Sequence, residues 1–206
     1  MSRSVVCISR AMGAGGEEVG RLVAERLGYL FVDEELISSA AERGGIDTGT
    51  VSDAEHRKSR LASLLDHLAD GGAAIVSAPI VRDDLPPESV RELIRDAIAE
   101  VAGRGDAVIV AHAASFAVGA SPNVLRALVT APPETRAGRI AGEGQSAADA
   151  LKEINRSDSE RADYLSRFYG VKQELPTHYD LVVNTDTLSA AAAAALIAAA
   201  ATGQPS

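Results

Sequence analysis

The sequence predicts an α/β fold in which helices cover both faces of a five-stranded parallel sheet. Short apolar runs rich in β-branched residues alternate with segments of helical periodicity, a pattern typical of repeated strand–helix–strand units joined by right-handed crossovers. The runs are mostly continuous rather than alternating in polarity. Both faces of these strands should therefore be buried, as in a parallel sheet. The predicted strands are residues 4–8, 29–32, 107–111, 125–130 and 181–184.

Helical segments separate these strands. The first covers residues 17–27 and ends at Gly28, which suits a left-handed C-cap. The next covers residues 87–101, with Pro87 near its start and Gly103 past its end. Helical material then runs from residue 135 to about 168 with a break near 142–144, and an alanine-rich helix closes the chain.

The connection between the second and third strands, residues 34–104, is longer than a crossover requires. It holds further helical patterns at residues 36–43 and 51–69. Two interpretations stay open: a subdomain that binds an acceptor substrate, or ordinary helical elaboration. The length of 206 residues otherwise suits a single domain, residues 1–206.

Composition limits the functional classes. A net charge of −9 argues against a broad nucleic-acid surface. The most membrane-like stretch, residues 188–201, is too short and too rich in alanine to cross a bilayer. Cys7 is the single cysteine and lies in an apolar run, so we expect a small buried hydrophobe and no internal disulfide. These features favour a cytoplasmic protein with no nucleic-acid or membrane partner.

The stretch CISRAMGAGGEEVG, residues 7–20, carries the strongest chemical signal. A strand, a glycine-rich loop and a helix follow one another, which is the layout of a phosphate cradle. Glycines let backbone N–H groups turn inward, and the helix N-terminus adds partial positive charge. A conventional loop of this type ends in Lys and then Ser or Thr, whereas this chain has Gly16 and Glu17. A simple tight turn is the alternative.

The residues of this stretch and its continuation resemble the start of the cytidylate kinase-like family, whose P-loop proteins are similar to nucleoside monophosphate kinases. That family begins with Ile-Ser-Arg, continues with Gly-Ser-Gly-Gly-Arg-Glu-Ile-Gly, and closes the second strand with Asp before Glu-Leu-Ile. The resemblance implies that glycine in the lysine position is a family habit. The matching residues are Ile8, Ser9, Arg10, Gly13, Gly15, Gly16, Glu18, Gly20, Asp33, Glu35, Leu36 and Ile37.

Later segments resemble the same family in order and spacing. SPNVLRALVTAPPETRAGRI is similar to the fourth strand and the helix after it, INRSDSERADYLSRFYGV to the arginine-bearing lid, and HYDLVVNTDTLS to the last strand and its exit. The resemblance implies a P-loop NTPase fold of the nucleotide-kinase type with the first strand central. It also implies a lid region over residues 136–170.

Two departures from the family pattern remove positive charge. Glu17 stands where the family usually has arginine. His112 stands where a Gly-Arg-Gly tripeptide after the third strand usually supplies an arginine to the acceptor nucleotide. A histidine is mostly neutral at pH 7 unless a phosphate raises its pKa.

The resemblance implies ATP and Mg²⁺ as cofactors and a set of site residues. Asp158 is interpreted as orienting Arg156 or Arg161. Asp33 is the one candidate for magnesium, through water, and no firm metal ligand is predicted. The predicted residues are Arg10, Arg156 and Arg161 for catalysis, Gly13, Ala14, Gly15, Gly16, Glu17, Glu18, Arg136 and Arg139 for the nucleotide phosphates, and Asp33 and His112 for the acceptor.

Three functional hypotheses follow. The first is a phosphotransferase that moves a phosphoryl group from ATP to a nucleoside monophosphate or similar small acceptor. The second is a non-catalytic nucleotide- or phosphate-binding protein with a degenerate loop, motivated by Gly16, Glu17 and His112. The third is a scaffold that binds no nucleotide. The sequence leaves a homodimer open as an assembly.

Overall fold

The computed structural model describes residues 3–33, 87–141 and 145–203, with the helical backbone alone for residues 87–93. The helices predicted at residues 36–43 and 51–69 lie outside the described residues. The elements are β1 (Val5–Arg10), α1 (Gly16–Leu27), β2 (Leu30–Asp33), α2 (Pro87–Arg104), β3 (Ala107–Val110), α3 (Ala114–Val118), β4 (Val124–Thr130), α4 (Pro133–Ile140), α5 (Ala147–Tyr169), a short 3₁₀ helix (Pro176–His178), β5 (Leu181–Asn184) and α6 (Ala190–Thr202).

The five strands form one sheet in the order β2-β3-β1-β4-β5. All neighbouring strands are parallel, and Val6 of β1 pairs with Val108 on one side and Leu125 on the other. The predicted five-stranded parallel sheet with its first strand in the centre is therefore confirmed. Because parallel strands end at the same edge, the loops after β1 and β3 begin at the edge where β2 also ends.

Both faces of the sheet are covered, because successive residues of a strand point to opposite sides. On one face Val6 and Ile8 pack with Val19 of α1 and Ile197 of α6. On the other face Val5 and Cys7 pack with Ile98 of α2. Cys7 is fully buried, and this burial raises the pKa of its thiol to about 12. The prediction of a small buried hydrophobe is confirmed.

Helix α1 lies unusually close to the sheet at Gly20. A Cβ atom at this position would stand 2.3 Å from Cγ2 of Val110 and 3.2 Å from the ring of Phe31. Glycine costs helix stability relative to alanine, so its presence here reflects the close approach of helix and strand. This contact fixes where the N-terminus of α1 lies relative to the sheet edge.

The alanine-rich segment forms α6, a helix of 13 residues that packs on α1 and β4. Its inward face, which includes Ala193, Ala194, Ile197 and Ala201, is fully buried in the core. Among the described residues, none of the helices combines the length and the apolar character that crossing a membrane requires.

Strand β1 runs two residues past its predicted end, to Arg10. The extension exists because β4 continues alongside it, pairing Ser9 with Leu128 and Arg10 with Val129. Ser9 is fully buried and donates a hydrogen bond of 3.0 Å to Oγ of Ser115 in α3. Helix α3 was not predicted, since its five residues are too few to show a helical period.

Candidate functional site

The loop between β1 and α1 is a tight turn at the carboxyl edge of the sheet. Gly13 and Gly15 have φ values of 75° and 76°, in the region that favours glycine. The Ala14 N–H donates to the carbonyl of Ala11 at 3.1 Å. The first N–H groups of α1 have no acceptor within their own helix, so the loop can present them to an anion.

Arg10, the last residue of β1, crosses the start of α1. Its Nη2 donates to Oε1 of Glu17 at 2.7 Å. The Arg10 side chain is 16% exposed and that of Glu17 is 54% exposed. The two residues that the sequence places at opposite ends of the loop are thus in direct contact, and the carboxylate at the helix start binds a cation.

Arg136 of α4 is buried, and its hydrogen-bond partners could be identified only from the structure. Its Nε donates to the carbonyl of Ala131 at 2.8 Å, and its Nη1 to the carbonyl of Met12 at 3.3 Å. Its two terminal nitrogens also bind the carboxylate of Asp158 in α5. Asp158 therefore orients Arg136, and the interpretation that it orients Arg156 or Arg161 is corrected by this pair.

Arg139, one turn further along α4, ties the loop to the exit of β5. Its Nη2 donates to the carbonyl of Thr185 at 2.5 Å, and its Nη1 to the hydroxyl of the same residue at 3.2 Å. The Thr185 hydroxyl in turn donates to the carbonyl of Ala14 at 2.8 Å. Thr185 belongs to the quoted HYDLVVNTDTLS segment, but sequence reasoning assigned it no role in holding the loop.

Arg161 of α5 is 8% exposed and joins three parts of the site. Its Nη1 donates to the backbone carbonyls of Arg10, at 3.3 Å, and of His112. Its Nε and Nη2 donate to the carboxylate of Glu174 at 3.0 and 2.5 Å. The end of β1, the residue after β3 and the segment that follows α5 are thereby bound to one guanidinium.

Glu174 is a site residue that the sequence did not single out. Burial pushes the pKa of its carboxyl up, but the hydrogen bond and charge of Arg161, together with the Tyr179 hydroxyl, outweigh burial and hold the pKa below its usual value. Burial and the Glu174 acceptor raise the pKa of Tyr179, which donates its hydroxyl to that carboxylate. The carboxylate is therefore charged at neutral pH.

The remaining predicted residues are placed in different ways. Asp33 ends β2 opposite Val110, and His112 follows β3, so both lie at the edge that carries the loop. Arg156 is 72% exposed, and its Nε lies 3.9 Å from Oε1 of Glu160 on the next turn of α5. Over the described ranges, no cluster of three or more His, Cys, Asp or Glu side chains could hold a metal ion.

A cavity of about 200 Å³ lies between β4 and α5, next to Ala11. Leu128, Leu165 and Val171 supply its apolar lining. Its polar lining includes the Arg136–Asp158 and Arg161–Glu174 ion pairs, together with Thr130, Lys172 and Gln173.

Comparisons with known proteins identify a matching family and solved structures of similar fold. A profile described as the cytidylate kinase-like family matches residues 5–187. No curated protein matches the sequence. An uncharacterised protein from Eubacterium ventriosum ATCC 27560 shares the fold, with a TM-score of 0.69 and 17% identity over 97% of this chain and 98% of that one.

Two further solved structures are similar at lower TM-scores. Shikimate kinase from Bacteroides thetaiotaomicron has a TM-score of 0.47 and 17% identity, over 94% of this chain and 93% of that one. TT1252 from Thermus thermophilus has a TM-score of 0.49 and 19% identity, over 98% of both chains.

Proposed function

The chain belongs to the cytidylate kinase-like family, and we propose that it is a nucleotide-binding phosphotransferase that uses ATP and a nucleoside monophosphate or similar small acceptor. The observation that carries this proposal is the loop after β1. Two glycines with positive φ lead directly into α1 at the carboxyl edge of a nucleotide-kinase-like sheet. That edge is where open parallel sheets bind ligands.

The loop is packed tightly against α4. A Cβ at Gly13 would lie 2.8 Å from the carbonyl oxygen of Arg136, so the loop is held against α4 with no room for a side chain. We assign phosphate binding to the backbone of residues 13–18. Arg136 and Arg139 support that backbone through their bonds to Met12, Gly13 and Thr185.

We assign magnesium to this site only in complex with the nucleotide. Glu17 stands where a conventional loop offers a hydroxyl ligand, and its carboxylate binds Arg10. Asp33, at the end of β2, is the residue we assign to a magnesium-bound water. When bound, the ion neutralises charge on the β- and γ-phosphates.

In the proposed transfer, a bond forms between an oxygen of the acceptor's phosphate and the γ-phosphorus. The bond from that phosphorus to the bridging oxygen breaks, and its electron pair stays with the departing diphosphate. The chain supplies alignment and positive charge. We assign the charge to Arg10, Arg156 and Arg161, and the acceptor side to Asp33 and His112.

A non-catalytic nucleotide- or phosphate-binding protein is the second candidate. The observation that favours it is that three arginines of the site bind carboxylates of the chain itself. The pairs are Arg10–Glu17, Arg136–Asp158 and Arg161–Glu174. Binding through backbone N–H groups needs none of these cations, whereas transfer does.

Two measurements distinguish the candidates. Thermal denaturation with ATP, with and without Mg²⁺, tests binding, and a ligand at a hundredfold excess over Kd should add about 2.7 kcal/mol. Steady-state transfer from ATP to CMP, UMP, AMP and GMP tests catalysis. ATP binding without transfer to any acceptor supports the second candidate, and no binding at all contradicts both.

The control for the loop is Gly15→Val. A β-branched residue at a φ of 76° is strained, while none of the residues that the structure describes crowds a Cβ at this position. The variant should therefore remain folded and lose ATP binding. Equal affinity in the variant and the wild type would contradict the assignment of the loop.

A further inference from the structure

Gly16 is a glycine for a reason different from that of its neighbours. Gly13 and Gly15 have positive φ, and Gly16 does not. A Cβ at Gly16 would lie 2.6 Å from Cβ of Arg10, 3.1 Å from its Cδ and 3.3 Å from its Cγ. The backbone would accept another residue at position 16, but the stem of Arg10 fills the space that its side chain needs.

With the backbone as observed, a lysine at position 16 would place its Cβ 2.6 Å from the Cβ of Arg10, so it would require residue 10 or the backbone to shift. Arg10 reaches the loop from the strand, passes over Gly16 and ends beside the first turn of α1. Its charge is thus delivered to the region where a loop lysine would begin. Glycine at position 16 thus leaves room for the Arg10 side chain to cross the start of α1.

We propose that Arg10 binds the polyphosphate of the donor in place of a loop lysine, and that Glu17 holds Arg10 when no nucleotide is bound. This inference rests on the proposed function, because it names the residue that supplies charge to the same site. A guanidinium offers a planar fork of donors that suits phosphate oxygens as well as a carboxylate.

The exposures of the two partners indicate which one moves. The Arg10 side chain is held between β1 and α1 and is 16% exposed, whereas the Glu17 side chain is 54% exposed. An ion pair with so exposed a carboxylate is weak, and a polyphosphate carries several negative charges. Glu17 can turn into solvent while Arg10 keeps its place over Gly16.

The first test uses inorganic tripolyphosphate, which has the charge of the donor and no base. Isothermal titration calorimetry compares the wild type with Arg10→Met, which keeps an apolar stem, and Arg10→Lys, which keeps the charge. Arg10→Met should weaken binding about ten- to hundredfold, and Arg10→Lys should bind between the two. Arg26→Ala, at an exposed position near the far end of α1, is the matched control and should bind as the wild type does.

The second test exchanges the two residues. Gly16→Lys alone should lose stability in thermal denaturation, because its side chain meets the stem of Arg10. The exchanged protein, Arg10→Gly with Gly16→Lys, removes that contact and should bind tripolyphosphate more tightly than Arg10→Gly alone. Glu17→Gln should tighten binding several-fold, since the competing carboxylate is gone.

The outcomes separate this inference from the function on which it rests. Wild-type binding that Arg10→Met leaves unchanged overturns the role of Arg10 and leaves the proposed function standing. Absence of wild-type binding to both tripolyphosphate and ATP overturns both. Where the exchanged protein does not fold, the comparison of Arg10→Met with Arg10→Lys decides by itself.

Discussion

Arg136 and Asp158 face each other as a two-pronged ion pair between α4 and α5, with N–O distances of 2.9 and 2.7 Å. The side chain of Arg136 is 4% exposed and that of Asp158 is 40% exposed. The guanidinium is shielded from water where it lies, so the carboxylate replaces the solvation that burial removes. The pair therefore holds the lid region against the loop that Arg136 also supports.

Asp158→Ala should lower the free energy of unfolding by about 2–4 kcal/mol, because it leaves a buried guanidinium without its carboxylate. Urea denaturation measures the change. Glu160→Ala on the same helix is the control, since its contact with Arg156 is long and exposed and should contribute below about 0.5 kcal/mol. Equal changes in the free energy of unfolding for the two substitutions would show that the buried pair contributes no more to stability than the exposed one.

The pair between Arg161 and Glu174 should make stability depend on acid. The folded-state pKa of Glu174 is lowered, so its contribution is present above the ordinary value of 4.5 and is lost as pH falls through the folded-state pKa. Glu174→Gln should be less stable than the wild type at neutral pH, and the difference should shrink at acid pH. Urea denaturation from about pH 7 to pH 3 tests this, and a difference independent of pH would contradict it.

Gly20→Ala should destabilise the protein by about 1–3 kcal/mol, because the new methyl group meets Val110 at the interface of α1 and β3. Gly138→Ala in α4 is the matched control. Among the described residues, none outside the helix's own backbone lies within 4 Å of its Cβ position, so it should raise stability by about 0.5–1 kcal/mol through helix propensity. Thermal denaturation should give shifts of opposite sign.

Arg156 and Arg161 should behave differently although both are candidate catalytic residues. Arg156 is mostly exposed, so Arg156→Ala should leave stability within about 0.5 kcal/mol of the wild type and lower kcat more than it raises KM for ATP. Arg161→Ala should lower both stability and turnover, because the substitution removes the guanidinium that binds Glu174 and two backbone carbonyls. Unchanged kcat in Arg156→Ala would exclude a catalytic role for it.

Much of the fold could be predicted because its signals are local. Apolar runs, helix caps and the glycine-rich loop each occupy a few consecutive residues, and alternation of strand and helix leaves few ways to arrange them. The parallel sheet, the position of the loop and the family are confirmed. The end of β1 was missed because Ser9 and Arg10 are polar, and only pairing with β4 makes them strand.

The sequence by itself determined the alternation of strands and helices and the glycine-rich loop between β1 and α1, and its resemblance to the family predicted the central first strand. It named the arginines of the site but could not assign their partners. Arg136 meets Asp158 across 22 positions, and Arg161 meets Glu174 across 13, because ion pairs depend on how helices pack. Only the tertiary structure placed the stem of Arg10 over Gly16. A steric conflict between residues 10 and 16 arises only after the strand and the helix have packed together.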